Sequence, residues 1–256
     1  MSVIYFISDL HLGSPNHEDS LVREKAFVKW LEKASKEADE IYLVGDVFDF
    51  WFEYKRAVPR GFVRCLGKIA EITDAGKPIH WFTGNHDMWI FDYLPQECGV
   101  QIHRKPIVKN YNGFPCYIGH GDGLGPGDQA YKFMKKFFDS KMCQWLFARL
   151  HPNFGIWLAS SLSGYSRGKA IEKDKKFHGE KEWLFQYCKS IEKDQHHKFY
   201  IFGHRHFPGE MKVSEESSYF NLGDWLHHYT YGVLDEKGFR LEKSSIHSHA
   251  ETSNKA

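Results

Sequence analysis

Apolar residues along this chain gather into runs of three to five, separated by longer stretches with apolar positions three or four apart. Residues 3–7, 41–44, 79–82, 116–118 and 199–202 are rich in β-branched and aromatic side chains. Each run ends at a Gly, Asp, Ser or His, which predicts short buried strands. Between the first two runs, residues 20–36 set Leu21, Phe27, Trp30 and Leu31 along one helical stripe. Residues 61–75 repeat the pattern with Phe62, Leu66, Ile69 and Ile72. Alternation of strand and helix predicts a right-handed parallel arrangement for at least the first half.

After His120 the rhythm changes. Residues 129–193 show no strand pattern but a long helical, aromatic-rich region, expected to break at Pro152 and again around 160–168. Strand character returns near 199, 219–222, 229–234 and 239–242. The expected organisation is a core of residues 1–128 and 195–243, a helical insertion over 129–194, and a polar tail over 244–256 expected to be disordered.

Composition narrows the class. At 256 residues, with 42% hydrophobic and 26% charged, the chain can bury a sizeable interior, and disordered or fibrous classes fit poorly. A net charge of +1 argues against a protein that coats nucleic acid, and no nucleic-acid partner is expected. The charge is unevenly spread. Residues 130–176 hold ten Lys or Arg against three Asp or Glu, about +7, leaving about −6 for the rest. Such a segment suits an anionic partner, although a solvated helical surface gives the same count. Five scattered cysteines without a CxxC pair suggest a reducing cytoplasm. No basic leader precedes residues 3–7, so no signal peptide is expected. The best membrane-spanning candidate, 145–162, is interrupted by Arg149, His151 and Pro152.

The chemistry sits where the apolar runs end. The first is followed by Asp9-Leu10-His11, the second by Gly45-Asp46, and the third by Gly84-Asn85-His86-Asp87. Gly119-His120-Gly121-Asp122 and Gly203-His204-Arg205-His206 follow two later runs. In open α/β sheets ligands lie beyond the carboxyl ends of the strands, so the five clusters are expected to meet in one crevice. Carboxylate and amide oxygens with imidazole nitrogens suit manganese, iron or zinc. Two cations about 3.5–4 Å apart need a shared ligand, which a carboxylate provides and an imidazole does not; Asp46 is placed for it. Each cluster alone is a weak signal. Five in order, each behind an apolar run, make a strong one. His80 and His103, outside the clusters, read as ordinary buried histidines.

Together these motifs resemble the calcineurin-like metallophosphoesterase family, over residues 9 to 206. The resemblance implies a four-layer α-β-β-α sandwich with a helical insertion. It implies two divalent cations, manganese before iron or zinc. Asp9, His11, Asp46 and His206 would hold one, and Asp46, Asn85, His120 and His204 the other. His86 would stabilise the transition state or protonate the leaving oxygen, with Asp87 orienting it.

Within that family the chain is most similar to the branch that cleaves the diphosphate of UDP-2,3-diacylglucosamine in lipid A biosynthesis. The similarity rests on residues 45–51, on His120-Gly121-Asp122 followed by Asp128 and Tyr131, and on the insertion before the last histidine motif. It implies substrate contacts from Asn85, His86, Asp128, Tyr131, Arg167, Lys169, Lys173 and His204. His86 is a departure, since the best-known part of that branch carries Arg there. Aromatics of the insertion interleave with Lys132, Lys135, Lys136, Lys141 and Arg149. Such a surface could cover acyl chains and lie on an anionic membrane at its cytoplasmic face, or simply pack on the core. A nucleotide or nucleic-acid phosphodiesterase, a phosphoprotein phosphatase and a scaffold without chemistry are the alternatives. The apolar insertion disfavours the first. Asp87, where phosphoprotein phosphatases usually carry Glu, disfavours the second, and the complete donor set the third.

Overall fold

The computed structural model describes all but residues 127–128, 175–177 and 248–256, and only the backbone of residues 130, 164–174 and 247. Its first half runs β1 (Ile4–Ile7), α1 (His17–Glu37), β2 (Glu40–Leu43), α2 (Val63–Asp74), β3 (Ile79–Phe82), α3 (Tyr93–Cys98) and β4 (Gln101–His103). A hairpin of β5 (Ile107–Tyr111) and β6 (Phe114–Gly119) follows, then helices α4 (Gln129–Phe138), α5 (Lys141–Phe147), α6 (Pro152–Asp174) and α7 (Trp183–Asp194). The chain continues as β7 (Phe199–Phe202), β8 (Gly209–Lys212), β9 (Ser218–Asn221), β10 (Thr230–Asp235) and β11 (Gly238–Lys243).

The strands make two sheets, ordered β11-β10-β1-β2-β3-β4 and β5-β6-β7-β9-β8. The four from β1 to β4 are parallel, as are β6, β7 and β9. Side-chain alternation then decides the layers. Ile4, Phe6, Tyr42, Val44 and Phe82 of the first sheet pack against Cys116, Ile118, Phe199, Ile201 and Phe220 of the second. Their strand neighbours Tyr5, Ile7, Ile41, Leu43 and Trp81 face the other way, onto Phe27, Trp30 and Leu31 of α1 and Ile69 and Ile72 of α2. On the far side, Tyr200, Phe202 and Tyr219 meet Leu184, Phe185 and Cys188 of α7. Four layers result: helices, sheet, sheet, helix.

This packing moves one expected boundary. The insertion was expected to include 183–194, yet α7 supplies the outermost layer of the sandwich, so the helices beyond the sandwich are α4 to α6. They touch it through Phe138, Cys143 and Phe147, which join Phe52 and Trp89. The break expected around 160–168 is also absent, because α6 continues from Pro152 to Asp174 through its Ser and Gly residues. The start of the expected tail is ordered. Residues Ser245–His247 form a short 3-10 turn, and Ile246 packs on the core beside α1, whereas 248–256 lie outside the described residues. All five cysteines are buried and free. No helix among the described residues is long and apolar enough to cross a membrane.

Candidate metal centre

Six parallel strands, β1, β2 and β3 in one sheet and β6, β7 and β9 in the other, end at the same edge of the sandwich. The loops that follow them are stitched together by backbone bonds. Asp9 N–H donates to Gly45 O (3.1 Å), His11 N–H to Asp46 O (3.0 Å), and Gly203 N–H to His120 O (3.1 Å). A buried arginine of α1 fixes the first loop, Arg23 donating to the carbonyls of Leu10, His11 and Ser14.

Backbone geometry turns the side chains inward. Asp9, His11, Asp46, His204 and His206 all have positive φ, between 44° and 67°. Outside glycine this region is sparsely populated and costs about 1–3 kcal/mol where the surroundings enforce it. Gly45 is needed for a second reason. Its φ is +86°, and a Cβ there would lie 2.3 Å from Nδ1 of His120. We expect Gly45→Ala to lower unfolding stability by about 1–3 kcal/mol and to displace His120. An unchanged melting temperature with unchanged metal affinity would contradict this.

The carboxylates divide their oxygens. Asp9 Oδ2 accepts from His204 N–H (2.9 Å) and the Ser8 hydroxyl (2.5 Å), and Asp46 Oδ1 accepts from His86 N–H (2.9 Å). That leaves Asp9 Oδ1 facing Nε2 of His206 at 3.2 Å and of His11 at 3.7 Å. Asp46 Oδ2 lies 3.8 Å from His11 Nε2 and 3.3 Å from His120 Nε2, so one oxygen stands between two imidazole groups. Asp9, His11 and His206 form one set of donors that could hold an ion, and Asp46, His120 and His204 form another. Asp9, His11, Asp46 and His120 are buried.

These residues fit a pair of cations. Among the described residues Asp9 Oδ1, Asn85 Oδ1 and His120 Nε2 are buried without a hydrogen-bond partner, a costly state unless something else satisfies them. The opposite ring nitrogens are already oriented. His120 Nδ1 meets Val44 O at 2.7 Å, His206 Nδ1 meets Asp224 Oδ2 at 3.3 Å, and His11 Nδ1 lies 3.5 Å from Asp49 Oδ1. Partners of this kind fix the tautomer and aim the other nitrogen at a metal. Burial opposes charge on His11, yet Asp49, Asp9 and Asp46 push its pKa up to about 9. Burial likewise opposes charge on His120, but Asp46 above all pushes it up to about 10. His204, buried and beside His120, is pushed down to about 4.

The remaining expected residues separate. His86 lies beside Asp46 and His11, its Nδ1 near Asp49 O (3.0 Å) and the Ser163 hydroxyl (2.9 Å). Asp87 does not orient it. Asp87 is wholly buried and accepts from the backbone N–H groups of Gly84 (2.7 Å) and Val47 (3.0 Å), bolting two ligand loops together. The Tyr131 hydroxyl donates to Asp122 (3.0 Å), which also pairs with Lys135. Asp128 and the side chains of Arg167, Lys169 and Lys173 lie outside the described residues. Residues 2–221 match the family described as calcineurin-like phosphoesterase.

The chain belongs to the calcineurin-like phosphoesterases. Such a phosphoesterase is a metal-dependent hydrolase, and membership implies divalent metal ions. Two similar relatives are each named UDP-2,3-diacylglucosamine hydrolase. That of Porphyromonas gingivalis is 40% identical, covering 94% of this chain and 97% of its own. That of Pseudomonas fluorescens is 25% identical, covering 93% and 94%. A solved archaeal phosphodiesterase aligns at 16% identity and a TM-score of 0.46, over 94% of this phosphoesterase and 98% of its own chain. Asp224 and Arg23, which support the ligand loops here, carry no motif signal, and Asp49 lies in the 45–51 run without standing out as a site residue. Only the Asp49 and Asp224 positions, just after strand ends, could have drawn notice.

Proposed function

We propose that this phosphoesterase hydrolyses the diphosphate of UDP-2,3-diacylglucosamine, giving UMP and 2,3-diacylglucosamine 1-phosphate. The observation that carries the reading is a buried set of oxygen and nitrogen donors with an apolar cleft alongside it. That cleft, about 500 Å³, is lined mainly by Leu12, Val58, Pro59, Phe62, Ile156 and Trp157, with Arg60 at its rim, and reaches Asp49 beside His11. Its size is ordinary for a small-molecule site. A diphosphate alone gives it no purpose, whereas acyl chains do, at about 0.8 kcal/mol per methylene buried. The two relatives named for this reaction support the same substrate.

In this reading Asp9, His11, Asp46 and His206 hold one cation and Asp46, Asn85, His120 and His204 the other, with manganese the proposed metal. Bound cations neutralise phosphate charge and make water a better nucleophile. The chain's own part is to fix geometry: Asp46 spans the two donor sets, and Asp49 and Asp224 hold the imidazoles of His11 and His206. His86, its Nδ1 engaged, presents Nε2 to the diphosphate and stabilises the charge that develops on it.

A membrane fits the outer surface of α4 to α6. Among the described residues, nine of the fourteen exposed large hydrophobics lie there, including Phe133, Phe137, Trp145, Leu146 and Trp157. Lys141 and Arg149 are exposed among them. An apolar face with a basic border suits the interface of an anionic bilayer, and we propose its cytoplasmic side.

The test incubates manganese-loaded protein with UDP-2,3-diacylglucosamine and follows UMP, with bis-p-nitrophenyl phosphate as a generic ester. UMP release is expected. Turnover of the generic ester without UMP would remove this substrate and leave the phosphoesterase.

A further inference from the structure

A second cleft, about 410 Å³, opens beside His120 and shares no lining residue with the apolar one. Its wall brings together Arg104, Lys105, Lys132, Lys135 and Lys136. Among the described residues, Asp122 and Asp139 are the acids of that wall, set against five positive charges. Asp122 is already engaged by Lys135 and by the Tyr131 hydroxyl. Lys132 donates to Gly125 O, while Lys105 and Lys136 are exposed to solvent. Phe82, Pro106 and Leu124 contribute apolar surface among the cations.

The two clefts therefore differ in chemistry and border different halves of the centre. The apolar one reaches it beside His11, through Asp49; the basic one reaches it at His120. An acyl chain gains little among five cations, and a nucleoside phosphate meets one cation, Arg60, in the apolar cleft against five in the basic one. We propose that the basic cleft is the nucleotide subsite. The UMP portion of the substrate lies along Lys105, Lys132 and Lys136 on the His120 side, and the acyl chains extend from the His11 side. This rests on the reading of the substrate as a lipid-linked sugar nucleotide. It adds a polarity: the diphosphate crosses the centre in one direction, and the two products leave by different clefts. Charge-assisted contacts to a phosphate are about twice as strong as neutral hydrogen bonds, so removing two cations weakens the nucleotide measurably.

Calorimetric titration of UMP into the manganese-loaded protein tests the assignment without relying on turnover. The wild type is expected to bind UMP more tightly than inorganic phosphate. The double variant Lys105→Ala, Lys136→Ala is expected to weaken UMP about tenfold or more, with little effect on thermal unfolding because both side chains are exposed. Trp157→Ala, in the other cleft, is expected to leave UMP affinity unchanged and to weaken the diacylglucosamine 1-phosphate product. Equal affinity for UMP and inorganic phosphate would overturn the proposal. So would a loss of UMP affinity in Trp157→Ala equal to that in the lysine variant. If UMP binds as expected but UDP-2,3-diacylglucosamine is not cleaved, the substrate assignment fails and the nucleotide subsite stands.

Discussion

Replacing Asp46 with alanine is expected to cut phosphodiester turnover by at least about 10³-fold, the upper end of what losing one preorganised electrostatic group costs. The reason lies in its two oxygens. Oδ1 accepts from the His86 backbone and sets the position of the Asn85-His86 loop, while Oδ2 stands 3.8 Å from His11 and 3.3 Å from His120. Alanine would remove the group both donor sets share and free the loop that carries Asn85. Metal content should fall from two equivalents to one or none. Asp46→Asn keeps the shape but loses the charge, and should lie between wild type and alanine. Full activity with two bound metals in Asp46→Ala would end the bridging role.

Metal affinity should climb steeply with pH. In the cation-free protein, His11 is raised to about 9 and His120 to about 10 from an ordinary value of 6.5. Both imidazoles therefore carry a proton at pH 7. Asp9 and Asp46, though buried, are held ionised below their ordinary value, chiefly by His206 and by His120 respectively, so they contribute no proton in this range. A metal binds neutral imidazole, so each ligand must lose its proton first. With one raised histidine in each ligand set, each ion displaces about one proton, so its apparent affinity rises up to about tenfold per pH unit below pH 9. The sign for folding is opposite. Raised histidine pKa values stabilise the cation-free protein fully below 6.5, and that contribution disappears as pH passes through 9 to 10. Titration of manganese in buffers of different ionisation enthalpy counts the released protons directly. A release near zero at pH 7 would refute this picture.

Much of the centre could be read from the sequence because it is built from strand ends. A buried strand must be apolar and short, so the residue after it is conspicuous, and Asp9, Asp46, Asn85, His120 and His204 all stand just beyond such a run. Three of the four edge strands gave no such signal. β4, β5 and β8 are partly exposed and carry Gln101, Lys109, Asn110 and Glu210, so their alternation did not stand out. The break expected near 160–168 followed the low helix propensity of Ser and Gly, which the continuous α6 overrides. The supporting residues were invisible for another reason. Arg23 sits in the middle of α1 and reads as a solvated charge, yet it is buried and turned onto three carbonyls of the His11 loop. Asp87 was read as a partner of His86 because it is adjacent in sequence, but its carboxylate points into the fold.

The five left-handed residues of the centre have a consequence for engineering. Glycine would relax the main chain at each of them, so a library screened for heat resistance alone has reason to accumulate changes there. Every such gain would delete a donor or the support of one. In this protein toughness and turnover compete for the same five positions, and a hardening campaign should hold them fixed from the outset.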